Sequence, residues 1–207
     1  MKTVARLAHP YNVLVLDGLI EPAHMAGLMG SWPKGLIRHF DYPGGVKRNF
    51  NQSHQEFHSF VTGDQHWSRF WNETIPAIKR AADTAIGPMA SSGIKMEFSE
   101  LPNGGGILPH PDTARKVMTA IVYFTPNVWH PSWGGEFEVL RHKERPFDDF
   151  TNTLQRWEDV ETVMAVPYVR GRVAIFHRCP WSLHGVRNVR CPAGFTRDSV
   201  TLNWLAS

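Results

Sequence analysis

The sequence of 207 residues holds only two cysteines, Cys179 and Cys191, too few for a disulfide framework. Reduced thiols in a cytoplasmic protein are the expectation, with pairing of the two left open. No apolar run approaches the length needed to span a bilayer, so no membrane partner is expected. Residues 1–10 contain one Lys and one Arg but no apolar stretch, so they are not expected to be a secretory leader. Charge of one sign is lacking too. Lys and Arg number 22 against 19 Asp and Glu, a formal net charge of +3. The basic residues are scattered, and the short clusters at 141–145 and 187–190 read as solvated surface, so no nucleic-acid partner is expected. There is no internal repeat and no low-complexity segment. With 42% hydrophobic and 20% charged residues, the chain reads as one folded domain over 1–207 rather than as a disordered one.

The pattern divides into two zones. Residues 1–93 read as mostly helical, forming a support and a pocket rim. Val13 to Leu16, closed by Asp17-Gly18, is an early strand. Glu21-Pro22 opens a short helix reaching about Met29, because proline suits a first helical turn. A longer helix is predicted over 65–86, with Asp64 as N-cap, Gly87 as stop and Pro76 as a kink. Trp67, Phe70, Trp71, Ile75, Ile78, Ala82 and Ala85 fall near one face of it. Residues 94–207 read instead as short strands between turn signals, at 95–101, 116–124, 135–140, 172–176, 184–189 and 197–205. Strands at this spacing predict an antiparallel sandwich or barrel. Residues 141–166 are polar and read as a long loop or a short helix, placed to cover a site or merely to skirt the surface.

The chemistry-bearing residues begin with His110-Pro111-Asp112. An imidazole and a carboxylate two residues apart point to the same side of an extended chain and can reach one metal. Alone the motif is close to chance in a chain with 11 histidines. His184 changes that. It opens a predicted strand just after the turn and apolar strand of Gly171-Arg172-Val173-Ala174-Ile175-Phe176. Two histidines and one carboxylate make a facial triad that suits Fe(II) and leaves the opposite coordination positions open, as an oxygenase needs.

The last strand carries Arg197, Ser199, Thr201 and Asn203 on one face and Val200, Leu202 and Trp204 on the other. The usual reading puts the polar face in water. In a small barrel with a polar ligand inside, it turns inward, and Arg197 can then grip a carboxylate with a bidentate fork. Tyr123 shares a face with Thr119 and Ile121 and can offer its hydroxyl to the same carboxylate.

From about residue 95 to 204 the chain resembles the prolyl-4-hydroxylase-like branch of the 2-oxoglutarate/Fe(II)-dependent dioxygenases. The motifs that carry the resemblance are, in order, Pro102-Asn103-Gly104-Gly105-Gly106, His110-Pro111-Asp112, Thr119-Ala120-Ile121-Val122-Tyr123-Phe124 and Trp133-Gly134-Gly135-Glu136-Phe137. They continue with Gly171-Arg172-Val173-Ala174-Ile175-Phe176, His184-Gly185-Val186, and Arg197 with Thr201. The resemblance implies a mainly β fold with flanking helices, a double-stranded β-helix or jelly roll. It implies iron on His110, Asp112 and His184, and 2-oxoglutarate on Arg197, Tyr123 and Thr201. It also implies O2 as cosubstrate, ascorbate as a supporting reductant, and hydroxylation of a C–H bond in a small molecule or an amino-acid or peptide side chain, with release of succinate and CO2. Desaturation or cyclisation with the same cofactors is an alternative, and a non-catalytic jelly-roll binding protein is another. The chain departs from the branch where a tyrosine often precedes the glycine-rich turn and Leu101 stands instead. It also departs in the 13-residue step from His184 to Arg197, which makes Arg190 a rival anchor. Asp112 argues against the halogenase variant, in which that carboxylate is missing.

Two other signals carry less. His54-Gln55-Glu56-Phe57-His58 places two histidines one helical turn apart, but Gln55 breaks the zinc-protease motif. The polar run 48–53 reads as a loop with local hydrogen bonds or as a pocket edge. Among the eight tryptophans, Trp67 and Trp71 read as helix packing, and Trp129, Trp133 and Trp181 as core or rim.

Overall fold

A computed structural model describes residues 1–42 and 45–206. Its frame is two antiparallel sheets facing each other. The elements in chain order are β1 (Lys2–Leu7), β2 (Val13–Asp17), α1 (Pro22–Gly30), β3 (Arg38–Tyr42), β4 (Gly45–Asn51), α2 (Phe57–Gly63), α3 (Gln65–Arg69) and α4 (Ile75–Ile86). There follow β5 (Gly93–Leu101), β6 (Ile107–His110), β7 (Lys116–Tyr123), β8 (Phe137–His142), β9 (Val160–Val166), β10 (Val173–His177), β11 (His184–Val186) and β12 (Arg197–Leu205). The larger sheet runs β1-β2-β10-β7-β12-β5-β4-β3 and the smaller β6-β11-β8-β9. This is the jelly roll with outer helices that the motifs imply.

The central strands of the larger sheet are apolar on both faces because both are covered. Leu14 and Leu16 of β2, Ala120 and Val122 of β7, and Val173 and Ile175 of β10 face the helices. Their neighbours Val13, Val15, Ile121, Ala174 and Phe176 face the smaller sheet. On the helical side, Trp67 is fully buried and meets Phe98 edge-on at 4.6 Å between ring centroids, while Trp32 meets Phe124 at 4.9 Å. Trp67 is therefore core, as the helical periodicity predicts, and Trp71 is partly buried against it. The Asp64 carboxylate accepts from the amides of His66 and Trp67, both at 2.9 Å, which fixes the start of α3. The expected kink at Pro76 takes the form of a π turn, Phe70–Thr74, joining α3 to α4. The wider turn falls where an α-helix would call on the amide that Pro76 lacks. Gly87, at φ +97°, ends the helix.

The helical reading of residues 1–93 needs correction. That stretch supplies four strands of the larger sheet, β1 to β4. β1 is almost wholly exposed and β3 is rich in polar residues. Both are edge strands with little to bury, so pairing with a neighbour forms them rather than a period-two pattern of their own. Residues 141–166 also differ from expectation. β8 runs on to His142, and β9 pairs with it from Val166 to Val160. Only the stretch between them is irregular, apart from a 3-10 turn at Trp157–Asp159. β11 is shorter than predicted and ends at Val186. Both cysteines are free thiols. No helix among the described residues is long and apolar enough to cross a membrane.

Candidate metal and cosubstrate site

The two sheets enclose a cavity of about 180 Å³ lined by residues of both, among them His110 of β6, His184 of β11 and Arg197 of β12. His110 closes β6 and pairs directly with His184, the first residue of β11. Asp112 follows His110 by two residues, as the extended geometry requires. One ligand atom from each of the three lies within 4.8 Å of the others, and no other such group occurs among the described residues. The imidazole centroids are 4.5 Å apart.

Local hydrogen bonds ready each group. His110 Nδ1 lies 2.8 Å from the carbonyl of Leu108, and His184 Nδ1 lies 2.9 Å from that of Ser182. A carbonyl only accepts, so Nδ1 of each ring carries the proton and Nε2 keeps its lone pair for a metal. Burial, reinforced by the neighbouring His110 ring, pushes the His184 imidazole down to about 3, and burial lowers His110 as well. Both are thus neutral ligands at ordinary pH. Burial works to raise the Asp112 carboxyl, but Lys116 and the two imidazoles outweigh it and hold the group well below the usual carboxylate range. Its two oxygens are engaged, Oδ1 by Lys116 Nζ at 2.5 Å and Oδ2 by the Thr119 hydroxyl, also at 2.5 Å. Thr119 lies in turn 3.1 Å from Asn203 Oδ1. The donor set, two neutral imidazoles and an ionised carboxylate on one side of an open cavity, fits a divalent metal of the Fe(II) kind.

The polar face of β12 turns inward. Arg197, Ser199, Thr201 and Asn203 all line the same cavity as the triad. Arg197 is 2% exposed. Its Nε donates to the carbonyl of Gly135 at 2.6 Å and its Nη1 to the Ser199 hydroxyl at 3.1 Å, but its Nη2 has no partner. No carboxylate pairs with it among the described residues. The guanidinium lies 5.2 Å from the ring centroids of both Tyr123 and Tyr168. Tyr123 is fully buried, and its hydroxyl is also without a partner. A buried, unpaired cation beside an orphaned phenol is costly unless something anionic joins them. A carboxylate that reached both would satisfy them. Arg190, the rival anchor, is exposed and does not line the cavity. Leu101 is fully buried opposite Arg197 in the β5–β12 register.

Thr119, Lys116, Lys47 and Glu97 line the site, but the sequence offered little to single them out. Thr119 and Glu97 lie on strands that were predicted. Lys47 lies on β4, which was not. His54 hydrogen-bonds locally to the Asn51 carbonyl, and with His58 lines a separate hollow away from the triad.

The family profile described as "2OG-Fe(II) oxygenase superfamily" matches residues 96–205, just over half of the chain. The chain belongs to that superfamily, an enzyme family that uses Fe(II), 2-oxoglutarate and O2. Among curated protein sequences none matches significantly. Solved structures with this fold include a prolyl hydroxylase from Trichoplax adhaerens in complex with a hypoxia-inducible-factor peptide fragment. It is 14% identical, with 93% of this chain and 83% of that chain covered and a TM-score of 0.63. The non-heme α-ketoglutarate-dependent epimerase SnoN of nogalamycin biosynthesis is 16% identical, with 94% and 76% covered and a TM-score of 0.64. HygX from Streptomyces hygroscopicus, solved with nickel and 2-oxoglutarate bound, is 12% identical, with 95% and 84% covered and a TM-score of 0.59.

Proposed function

We propose that this oxygenase hydroxylates an unactivated C–H bond of a small molecule or an amino-acid or peptide side chain, splitting 2-oxoglutarate to succinate and CO2. His110, Asp112 and His184 hold the metal through two Nε2 atoms and a carboxylate oxygen. Arg197 and Tyr123 bind the distal carboxylate of 2-oxoglutarate, with help from Thr201. The observation that carries this reading is the unpartnered Nη2 of Arg197, a buried residue that lines the cavity of the triad, together with the unpartnered hydroxyl of buried Tyr123, whose ring lies 5.2 Å from that guanidinium.

When bound, iron and 2-oxoglutarate supply the oxidising chemistry by activating O2. The chain's own contribution is placement. Leu108 and Ser182 orient the imidazoles through their carbonyls, and Thr119 holds the carboxylate. Ile121, Phe137 and Val186 line the cavity and keep water from the reacting centre. Succinate formation with Fe(II) and 2-oxoglutarate, in wild type and in His110→Ala, tests the reading. Metal-loaded protein that neither binds 2-oxoglutarate nor forms succinate contradicts it. A second reading, the same cofactors with a different oxidative outcome, is favoured by the epimerase among the structural neighbours. A product carrying one added oxygen separates the first reading from the second.

A further inference from the structure

The cavity also carries one cation and one anion with no part in holding metal or 2-oxoglutarate. Lys47 Nζ lies 2.6 Å from Glu97 Oε1, and the two side chains are only 15% and 21% exposed. The side-chain amides of Asn49 and Asn51 donate to the other oxygen of Glu97 at 3.2 and 3.4 Å. Both charged residues, on β4 and β5 of the larger sheet, line the cavity that His110 and Asp112 line as well.

As a clasp between strands the pair adds little. β4 and β5 already share a backbone ladder from Arg48↔Glu100 to Asn51↔Glu97. An ion pair drawn out of water gains little beyond what its desolvation costs. What the pair does provide is two opposite charges side by side in the cavity that holds the triad. Glu97 is fixed by two amides, whereas Lys47 can swing on its flexible stem.

We infer that Lys47 and Glu97 form the substrate subsite and that the substrate is a small zwitterion, a free α-amino acid or a close derivative. Its carboxylate takes Lys47 and its ammonium takes Glu97. An α-amino acid bears both charges on a single carbon, so it replaces the closed Lys47–Glu97 contact with two ion pairs and leaves no charge unmatched. A residue inside a peptide offers neither charge. The cavity volume of about 180 Å³ is likewise on the small side for a site that must also admit a cosubstrate. The inference rests on the proposed function, since it places the chemistry at the triad.

The test loads the full chain with Mn(II) and 2-oxoglutarate without oxygen and titrates it calorimetrically with the twenty L-amino acids. Each is compared with its N-acetyl and its carboxamide form. At least one free amino acid binds, at least about tenfold more tightly than either blocked form, the scale of a hydrogen bond to a charged group. Lys47→Met erases the discrimination against the carboxamide, and Glu97→Gln erases that against the N-acetyl form. A merely structural clasp weakens all three forms alike. If a variant fails to fold, the wild-type comparison of free with blocked forms decides. Equal binding of free and blocked forms, survival of the discrimination in both variants, or binding of 2-oxoglutarate with no free amino acid overturns the inference and leaves the proposed function standing. Failure of the metal-loaded protein to bind 2-oxoglutarate overturns the proposed function, and this inference with it.

Discussion

The two faces of the larger sheet are built from the same strands and serve opposite ends. On β12, Val200, Leu202 and Trp204 pack outward among the helices, while Arg197, Ser199, Thr201 and Asn203 line the cavity. β7 does the same, with Ala120 and Val122 outward and Thr119 and Ile121 inward. The outer face is filled and apolar, closed by a cluster of rings around Trp67. The inner face keeps polar groups out of bulk water and leaves two of them, on Arg197 and Tyr123, without partners. Stability is therefore concentrated on one side of the sheet, and unmet demand for a ligand on the other.

Substitutions on the two faces should separate stability from activity. The largest effect is expected at the proposed metal ligands. His110→Ala or His184→Ala abolishes succinate formation while the circular dichroism spectrum and melting temperature of the metal-free protein change little. A collapse of the fold in both variants breaks the contrast. On the outer face, Trp67→Ala costs about 3–5 kcal/mol in denaturant unfolding, the range for truncating a large buried ring, yet the protein that remains folded keeps its turnover per molecule. Thr119→Val, which strips a hydroxyl from Asp112, weakens metal binding by about 10–100-fold with little change in stability, as loss of a group supporting a ligand does. Metal titration followed by fluorescence reads that change.

A pH-dependent effect concerns Asp198, which follows Arg197 in β12. Burial raises its carboxyl to about 7, whereas in the unfolded chain it ionises near 3.8. Between these values the unfolded chain releases a proton that the folded protein keeps. The stabilisation linked to the neutral form is complete below about pH 4 and is lost as pH rises through about 7. Asp198→Asn therefore melts higher than wild type at pH 8, and the gap shrinks toward pH 4. A gap that stays constant across this range contradicts the assignment.

Most of the inner face was legible in the sequence because its residues sit on strongly patterned strands. His184 opens a strand beside a glycine turn, and the alternation of β12 puts Arg197, Ser199, Thr201 and Asn203 together whichever face turns inward. Pattern alone did not choose the face. A cavity that takes polar ligands inverts the usual rule of polar outside, and the motif order supplied that choice. Lys47 was out of reach for a different reason. Its strand is polar and lies near the sheet edge, so nothing in its local period marks it as a strand, and only pairing with β5 brings Lys47 to the cavity. β9 was hidden similarly, since four of its seven residues are exposed and its pairing with β8 is what makes it a strand. Long-range pairing, which local pattern does not encode, accounts for these misses.

Under the proposed function, Arg197 binds a carboxylate that arrives with a metal on His110, Asp112 and His184. Calorimetric titration of 2-oxoglutarate into wild type and Arg197→Met, each with and without Mn(II), tests it most directly. Binding that depends on the metal is expected, with a loss of at least about tenfold in affinity in Arg197→Met, because a charged hydrogen-bonding group has been removed. Equal affinity in the two proteins, or binding indifferent to the metal, would contradict it.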